Sequence, residues 1–215
     1  MIAPPRCVRV LCIDGGLADL GWCVATLFDS GRVIIRGAGV VHTTKTETGK
    51  AAGSAVMLGT TVSADSMRRA CIVSARIGAA LRENDPRHDD GEAPPLMVAV
   101  EEFTPPRGAA SAALKVGFGI GAALSAAVMH GAVEHLARAT AGEVKRVLGV
   151  KAGLDEGASK AAVRSAVEAR FPELGSHLDA AKVPNGRREH AYDAAGVLLA
   201  CIDRDRFAPI LPMLT

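Results

Sequence analysis

The hydrophobic pattern along the chain switches between short strand-like runs and longer helical ones. Residues 7–14 (CVRVLCID) are apolar and rich in β-branched side chains, end at Asp14 and run into Gly15-Gly16, which predicts a strand followed by a tight turn. Residues 20–28 (LGWCVATLF) and 32–41 (RVIIRGAGVV), separated by Asp29-Ser30-Gly31, predict two further strands. The short connections predict an antiparallel meander. After a Thr-, Gly- and Lys-rich loop over 42–61, apolar residues at Met67, Ala70, Cys71, Val73, Ile77 and Leu81 predict a helix over 62–83. A polar, Pro-bearing loop over 84–95 leads into LMVAV at 96–100, a continuously apolar run that suits a buried parallel strand. Residues 108–137 predict one long Ala- and Gly-rich helix, and 143–149 (EVKRVLG) a fifth strand. A helix over 159–171 is stopped by Pro172, and a last helix covers 189–203. Three meandering strands followed by alternating helices and strands make an α/β domain with a mixed five-stranded sheet, three strands antiparallel and the others parallel, flanked by helices.

Composition adds little to this picture but excludes much. The 215 residues suit one domain, with a core over about 7–207. Charged residues are 22% and hydrophobic ones 49%, which argues against global disorder. Aromatics are only 3%, so the core is aliphatic and stacking residues are scarce. The net charge of +2 neither requires nor excludes nucleic acid, but residues 142–188 carry an excess of basic side chains, as a phosphate-facing surface would. The five cysteines form no C-x-x-C pair, so neither a zinc site nor a disulfide framework is expected, and a reducing cytoplasm is the expected compartment. The most apolar stretch, 108–133, is interrupted by Lys115 and many glycines and is a weak membrane candidate.

The candidate chemistry lies in carboxylates at element ends. Asp14 ends the first apolar strand and Glu101 follows the fourth; His190 and Asp193 stand at i and i+3 in the first turn of the last helix and share a face. If the two strands are neighbours, these groups converge into a cluster suited to a hard cation such as magnesium, and two such ions serve phosphodiester hydrolysis. Taken singly, each residue has a bland reading. Asp before Gly-Gly is common turn chemistry, and acidic residues at a helix start complement its dipole. Glu102, beside Glu101, points to the opposite face if the strand continues, and Glu101 is preferred because it follows the apolar run directly.

Asp14 within IDGGLADLGW, Glu101 after LMVAV with Phe103 close by, Val144-Lys145, and His190-x-x-Asp193 followed by Ala-Ala together resemble the RuvC Holliday junction resolvases, in the same order over about residues 7–203. The resemblance implies an RNase H-like fold and a homodimer that nicks four-way DNA junctions with divalent metal ions. Magnesium is expected, with manganese as a substitute and two ions per site. It implies that Asp14, Glu101 and Asp193 are the acidic ligands and that His190 fills a place held in the family by Asp or His. Lys145 and Lys160 are then DNA contacts, and Phe103 corresponds to the junction-wedging aromatic. Gly15-Gly16 replaces the family's usual Pro-Gly turn, and segments around 84–95 and 150–159 look inserted, features of a divergent, phage-type member of a bacterial or phage-infected cell. The apolar helix at 108–137 is the expected dimer interface, since a helix apolar all round needs burial on two sides.

Two other readings stay open at this point. A branched-DNA binding protein without cleavage would need only the basic contacts, not all four candidate ligands. An actin-like or sugar-kinase-like ATP-binding domain has a similar Asp-Gly-rich strand–turn–strand. It usually carries a second nucleotide loop, however, and this chain shows no Walker-type motif.

Overall fold

The computed structural model of the chain describes residues 7–44, 62–85, 94–103 and 110–207. The first strand, β1 (Cys7–Asp14), is buried on both faces. Val8, Val10 and Cys12 join one apolar cluster, and Leu11 and Ile13 another. That period of two is the alternation of a strand sandwiched between two layers. β2 (Asp19–Phe28) and β3 (Val33–His42) continue antiparallel, with a register shift at Val24/Ala25. β4 (Leu96–Glu102) lies parallel to β1 on its other side, and β5 (Ala132–Thr140) parallel to β4. The strand order is β3-β2-β1-β4-β5, a mixed five-stranded sheet as expected from the sequence.

Helices cover both faces. α1 (Val62–Glu83) and α2 (Ala110–Met129) pack on the Leu11/Ile13 side, where Val73, Ile77, Leu81, Ala123 and Ala127 are fully or almost fully buried. The other face carries α3 (Ala141–Val147), α4 (Glu156–Arg170), α5 (Leu174–Ala180) and α6 (Arg188–Asp203), the last preceded by a single 3-10 turn at Asn185–Arg187. α6 is the central helix of that layer, with Ala191, Ala194, Ala195, Val197, Leu198 and Cys201 out of contact with water. Its small side chains let it lie close on the sheet. Trp22 packs beside the Leu11/Ile13 cluster and over Gly39.

Two expectations fail together. The predicted long helix over 108–137 ends at Met129, and the predicted strand at 143–149 is the helix α3. The break is at Gly131, whose φ of 80° is a left-handed conformation suited to glycine. The fifth strand is the segment AVEHLARAT just after it, in which Ala137 and Ala139 are buried. Alanine favours helices, so pairing with β4 rather than local preference makes this segment a strand. Thr140 then starts α3 through a capping box: its hydroxyl accepts from the Glu143 N–H at 3.2 Å, and Glu143 accepts from the Thr140 N–H at 2.9 Å. α4 begins at Glu156 rather than 159, capped by Asp155, and α5 is an additional short helix. Most of the expected loops at 42–61 and 84–95 lies outside the described residues.

Candidate active site

Parallel pairing aligns Ile13 of β1 with Val100 of β4, so Asp14 and Glu101 follow side by side at one end of the sheet. Alternation gives both the same face. Asp14 continues the Val8–Val10–Cys12 series and Glu101 the Met97–Ala99 series, and all five of those apolar residues face the α6 layer. The first turn of α6 lies over this end. His190 Nδ1 is 2.8 Å from Asp14 Oδ2. Glu101 is half-buried and faces Asp14 and Asp193, whereas Glu102 is exposed. The four residues singled out in the sequence therefore meet, although 176 positions separate Asp14 from His190.

The close approach of α6 depends on Gly21. A Cβ at this position of β2 would fall on the His190 carbonyl, so a larger residue would push the helix start off the sheet. The segment after Asp14 is tied down separately. The Thr43 hydroxyl donates to the Leu17 carbonyl, and the Thr43 N–H donates to the Ala18 carbonyl at 2.8 Å. Buried Arg69 of α1 in turn donates to the Thr43 hydroxyl at 2.8 Å. Further down α6, the Tyr192 hydroxyl donates to Glu168 of α4 at 2.6 Å, and the Arg164 guanidinium lies over the Tyr192 ring. These bonds set how far α6 is turned, and with it Asp193.

Crowding of acids at a partly dry site is visible in their protonation. Burial, a hydrogen bond to Asp14 and the charges of Asp14 and Asp193 push Glu101 far above the ordinary carboxylate range, with the Lys145 ammonium pulling the other way. Burial, then the Asp14 charge, raises Asp193 to about 7. His190 is raised chiefly by its hydrogen bond to Asp14, against the effect of burial. Like charges gathered out of water favour the neutral acids until a cation offsets them.

The donor set of three carboxylates and one imidazole suits a hard divalent cation. Among the described residues, no group of three or more His, Cys, Asp or Glu side chains is gathered as a finished ion cage. His190 instead spans to Asp14, as an imidazole does when one ring nitrogen is held by a carboxylate.

The predicted basic contacts stand in different situations. Lys145 is on α3, not in a strand, and its charge reaches Glu101. Lys160 of α4 is held by Glu156 at 2.9 Å and by Glu189 at 3.3 Å. Phe103, just past β4, is 42% exposed. Three residues that sequence reasoning missed lie at the same sheet end: Asp19, His42 and Arg187. Asp19 Oδ1 is 2.8 Å from His42 Nδ1 and 3.3 Å from Arg187 Nε. Only the position of Asp19, at the start of β2 five residues after Asp14, could have flagged them.

Two solved structures of Thermus thermophilus RuvC, one of them in complex with a Holliday junction substrate, are 22% identical to the chain. Each covers 94% of it and 96% of its own length, with TM-scores of 0.58 and 0.57. The yeast mitochondrial Holliday junction resolvase Ydc2 covers 99% of the chain and 85% of its own, with 13% identity and a TM-score of 0.50. No protein-family model matches the chain, and no curated protein matches it by sequence. The strand order, the helices on both faces and the match along nearly the whole chain establish that it adopts the RNase H-like fold of the RuvC-type Holliday junction resolvases.

Proposed function

We propose that the chain is a structure-specific endonuclease that resolves four-way DNA junctions by hydrolysing phosphodiesters in paired, symmetric nicks. The observation that carries this reading is the meeting of Asp14, Glu101 and Asp193, brought from β1, β4 and α6 to one end of the sheet. The likeness to RuvC in complex with a Holliday junction substrate supports the choice of DNA.

Asp14, Glu101, Asp193 and His190 would hold two magnesium ions, which manganese could replace. Such ions lower the pKa of a bound water and stabilise the departing oxygen. The chain's own contribution is positional. Asp14 holds the His190 ring by Nδ1, which leaves Nε2 as the atom able to bind a ligand or pass a proton. Lys145 offers a cation beside Glu101 for the phosphate backbone. Lys160 serves the same end once a phosphate displaces Glu156 and Glu189. Phe103, exposed where β4 leaves the sheet, would press on an unstacked base. Two copies joined through α2, working in the cytoplasm, would bring two such sites to the two strands to be cut.

The test is incubation with a four-way junction and with a linear duplex of equal length, each with and without magnesium, beside an ATP-turnover assay. Magnesium-dependent nicking of the junction is expected. ATP turnover without nicking would replace this reading with the nucleotide-binding one. Asp14→Asn and Asp193→Asn should each abolish nicking and leave junction binding in place, because affinity for DNA rests mainly on cation–phosphate contacts. Full nicking by either variant would remove that residue from the site.

A further inference from the structure

We propose that Arg187, aimed by Asp19 and His42, is a phosphate-binding group on the β2–β3 side of the acidic cluster. The inference rests on the nuclease reading above and adds to it a backbone contact opposite Lys145. A phosphodiester approaching several carboxylates needs cations on its path. Lys145 supplies one beside Glu101, whereas Lys160 is already engaged by two glutamates.

Arg187 closes the 3-10 turn before α6, three residues ahead of His190. Residues at that spacing at a helix start are neighbours, roughly 5–6 Å apart at Cβ. Asp19, which holds Arg187, is itself close enough to His190 for its charge to act there. The guanidinium is thus linked to the His190 side of the cluster through Asp19.

Its hydrogen bonds prepare it for an anion. Arg187 Nη2 is 3.1 Å from His42 Nε2, and His42 Nδ1 is 2.8 Å from Asp19 Oδ1. An arginine can only donate, so Nε2 of His42 must accept and Nδ1–H must donate to Asp19. One neutral tautomer satisfies both bonds. Arg187 Nε is also 3.3 Å from Asp19 Oδ1, an ion pair rather than a hydrogen bond. The carboxylate and the ring thus hold the Nε and Nη2 side of the guanidinium. Among the described residues Nη1 has no such partner, and the side chain is 39% exposed. A planar guanidinium fixed along one edge, with donors left at the other, is the arrangement that receives a phosphate by two bonds at small entropic cost.

The experiment measures binding of a labelled four-way junction across a salt series with calcium in place of magnesium, so that cleavage does not interfere. Arg187→Ala is expected to weaken binding on the order of 3–10-fold and to lower the slope of log affinity against log salt by about one. Arg187→Lys should keep the slope and lose part of the affinity, because the charge remains and the fork is lost. His42→Ala, which loosens the bracket and leaves the charge, should keep the slope as well. Thermal midpoints of all three show whether each is folded, and the lysine variant carries the test if the alanine variant is not. An unchanged slope for Arg187→Ala, with wild-type protein binding the junction, overturns this proposal and leaves the nuclease reading intact. Wild-type protein that binds neither junction nor duplex overturns both.

Discussion

Two residues show how closely the site depends on single atoms. Gly21 is the point where the α6 backbone rests on β2, so Gly21→Ala must displace the His190 carbonyl or the strand. Overpacking of this kind costs about 1–3 kcal/mol, and cleavage should be lost with it. Gly117, in the middle of α2, has open space where a Cβ would be, so Gly117→Ala should stabilise by up to about 1 kcal/mol through helix preference. Thermal unfolding of the two variants checks the contrast, and equal midpoints would contradict it. Glu101 makes a second prediction at this scale. Glu101, Asp193 and His190 bind protons more tightly in the folded chain than in the unfolded one. Their contribution to stability is therefore fully present below their unfolded values and is lost as pH rises through the folded ones. Without divalent cations, the thermal midpoint should fall from about pH 5 to pH 8. Glu101→Gln should flatten that fall and melt higher than the wild type at pH 8. For a domain of this size each 1 kcal/mol is about 2–4 °C. Parallel curves for the two proteins would show that Glu101 is not where the repulsion resides.

At the scale of elements, α6 is the piece through which the rest of the fold acts on the site. It touches the sheet through small side chains, meets α4 through Tyr192 and Glu168, and begins beside Asp14. Tyr192 is almost fully buried, and its hydroxyl bond to Glu168 links the two helices beside the more exposed Lys160–Glu189 ion pair. Tyr192→Phe keeps the ring and removes that bond, so it should cost about 1 kcal/mol and lower kcat for cleavage more than junction affinity. Glu168 keeps Arg164 as a partner at 2.9 Å, which limits the loss. A variant with wild-type kcat would show that the turn of α6 is set elsewhere.

For the whole molecule, the feature that stands out is the apolar outer side of α2. Its Gly119, Ala122, Ala123, Ala126 and Ala127 are buried, while Leu114 and Val128 are 64% and 67% exposed. With Phe118 and Met129 also exposed, α2 presents an apolar surface to solvent that soluble proteins seldom leave uncovered. By length and composition it could also cross a membrane, but its inner face is used by α1 and the sheet. A second copy of the chain related by two-fold symmetry is the expected cover. Light scattering at micromolar concentration should give the mass of two chains. Leu114→Glu with Phe118→Glu should give one chain, binding the junction without paired cuts. A wild-type mass of one chain with paired cutting intact would reject the dimer.

The sequence alone determined the meander, the buried β4 strand, α1, α6 and the four residues that meet at the sheet end. Each of these rests on local information: a period of two, a turn after Asp14, a β-branched apolar run, an i and i+3 spacing. Where β5 lies was decided only by tertiary structure. The stretch from Ala110 to Ala137 is rich in Ala and Gly and reads as one helix, while 143–149 reads as a strand, so the local signals at Gly131 and at the Thr140–Glu143 capping box do not by themselves separate α2, β5 and α3. Pairing with β4 separates them, because there the backbone of Ala132–Thr140 bonds to a neighbouring strand while Ala137 and Ala139 are buried. The raised acids, the Gly21 contact and the Asp19–His42–Arg187 bracket were likewise beyond the sequence. They arise between residues far apart along the chain, and burial and charge act through distance in space, which the order of residues does not contain.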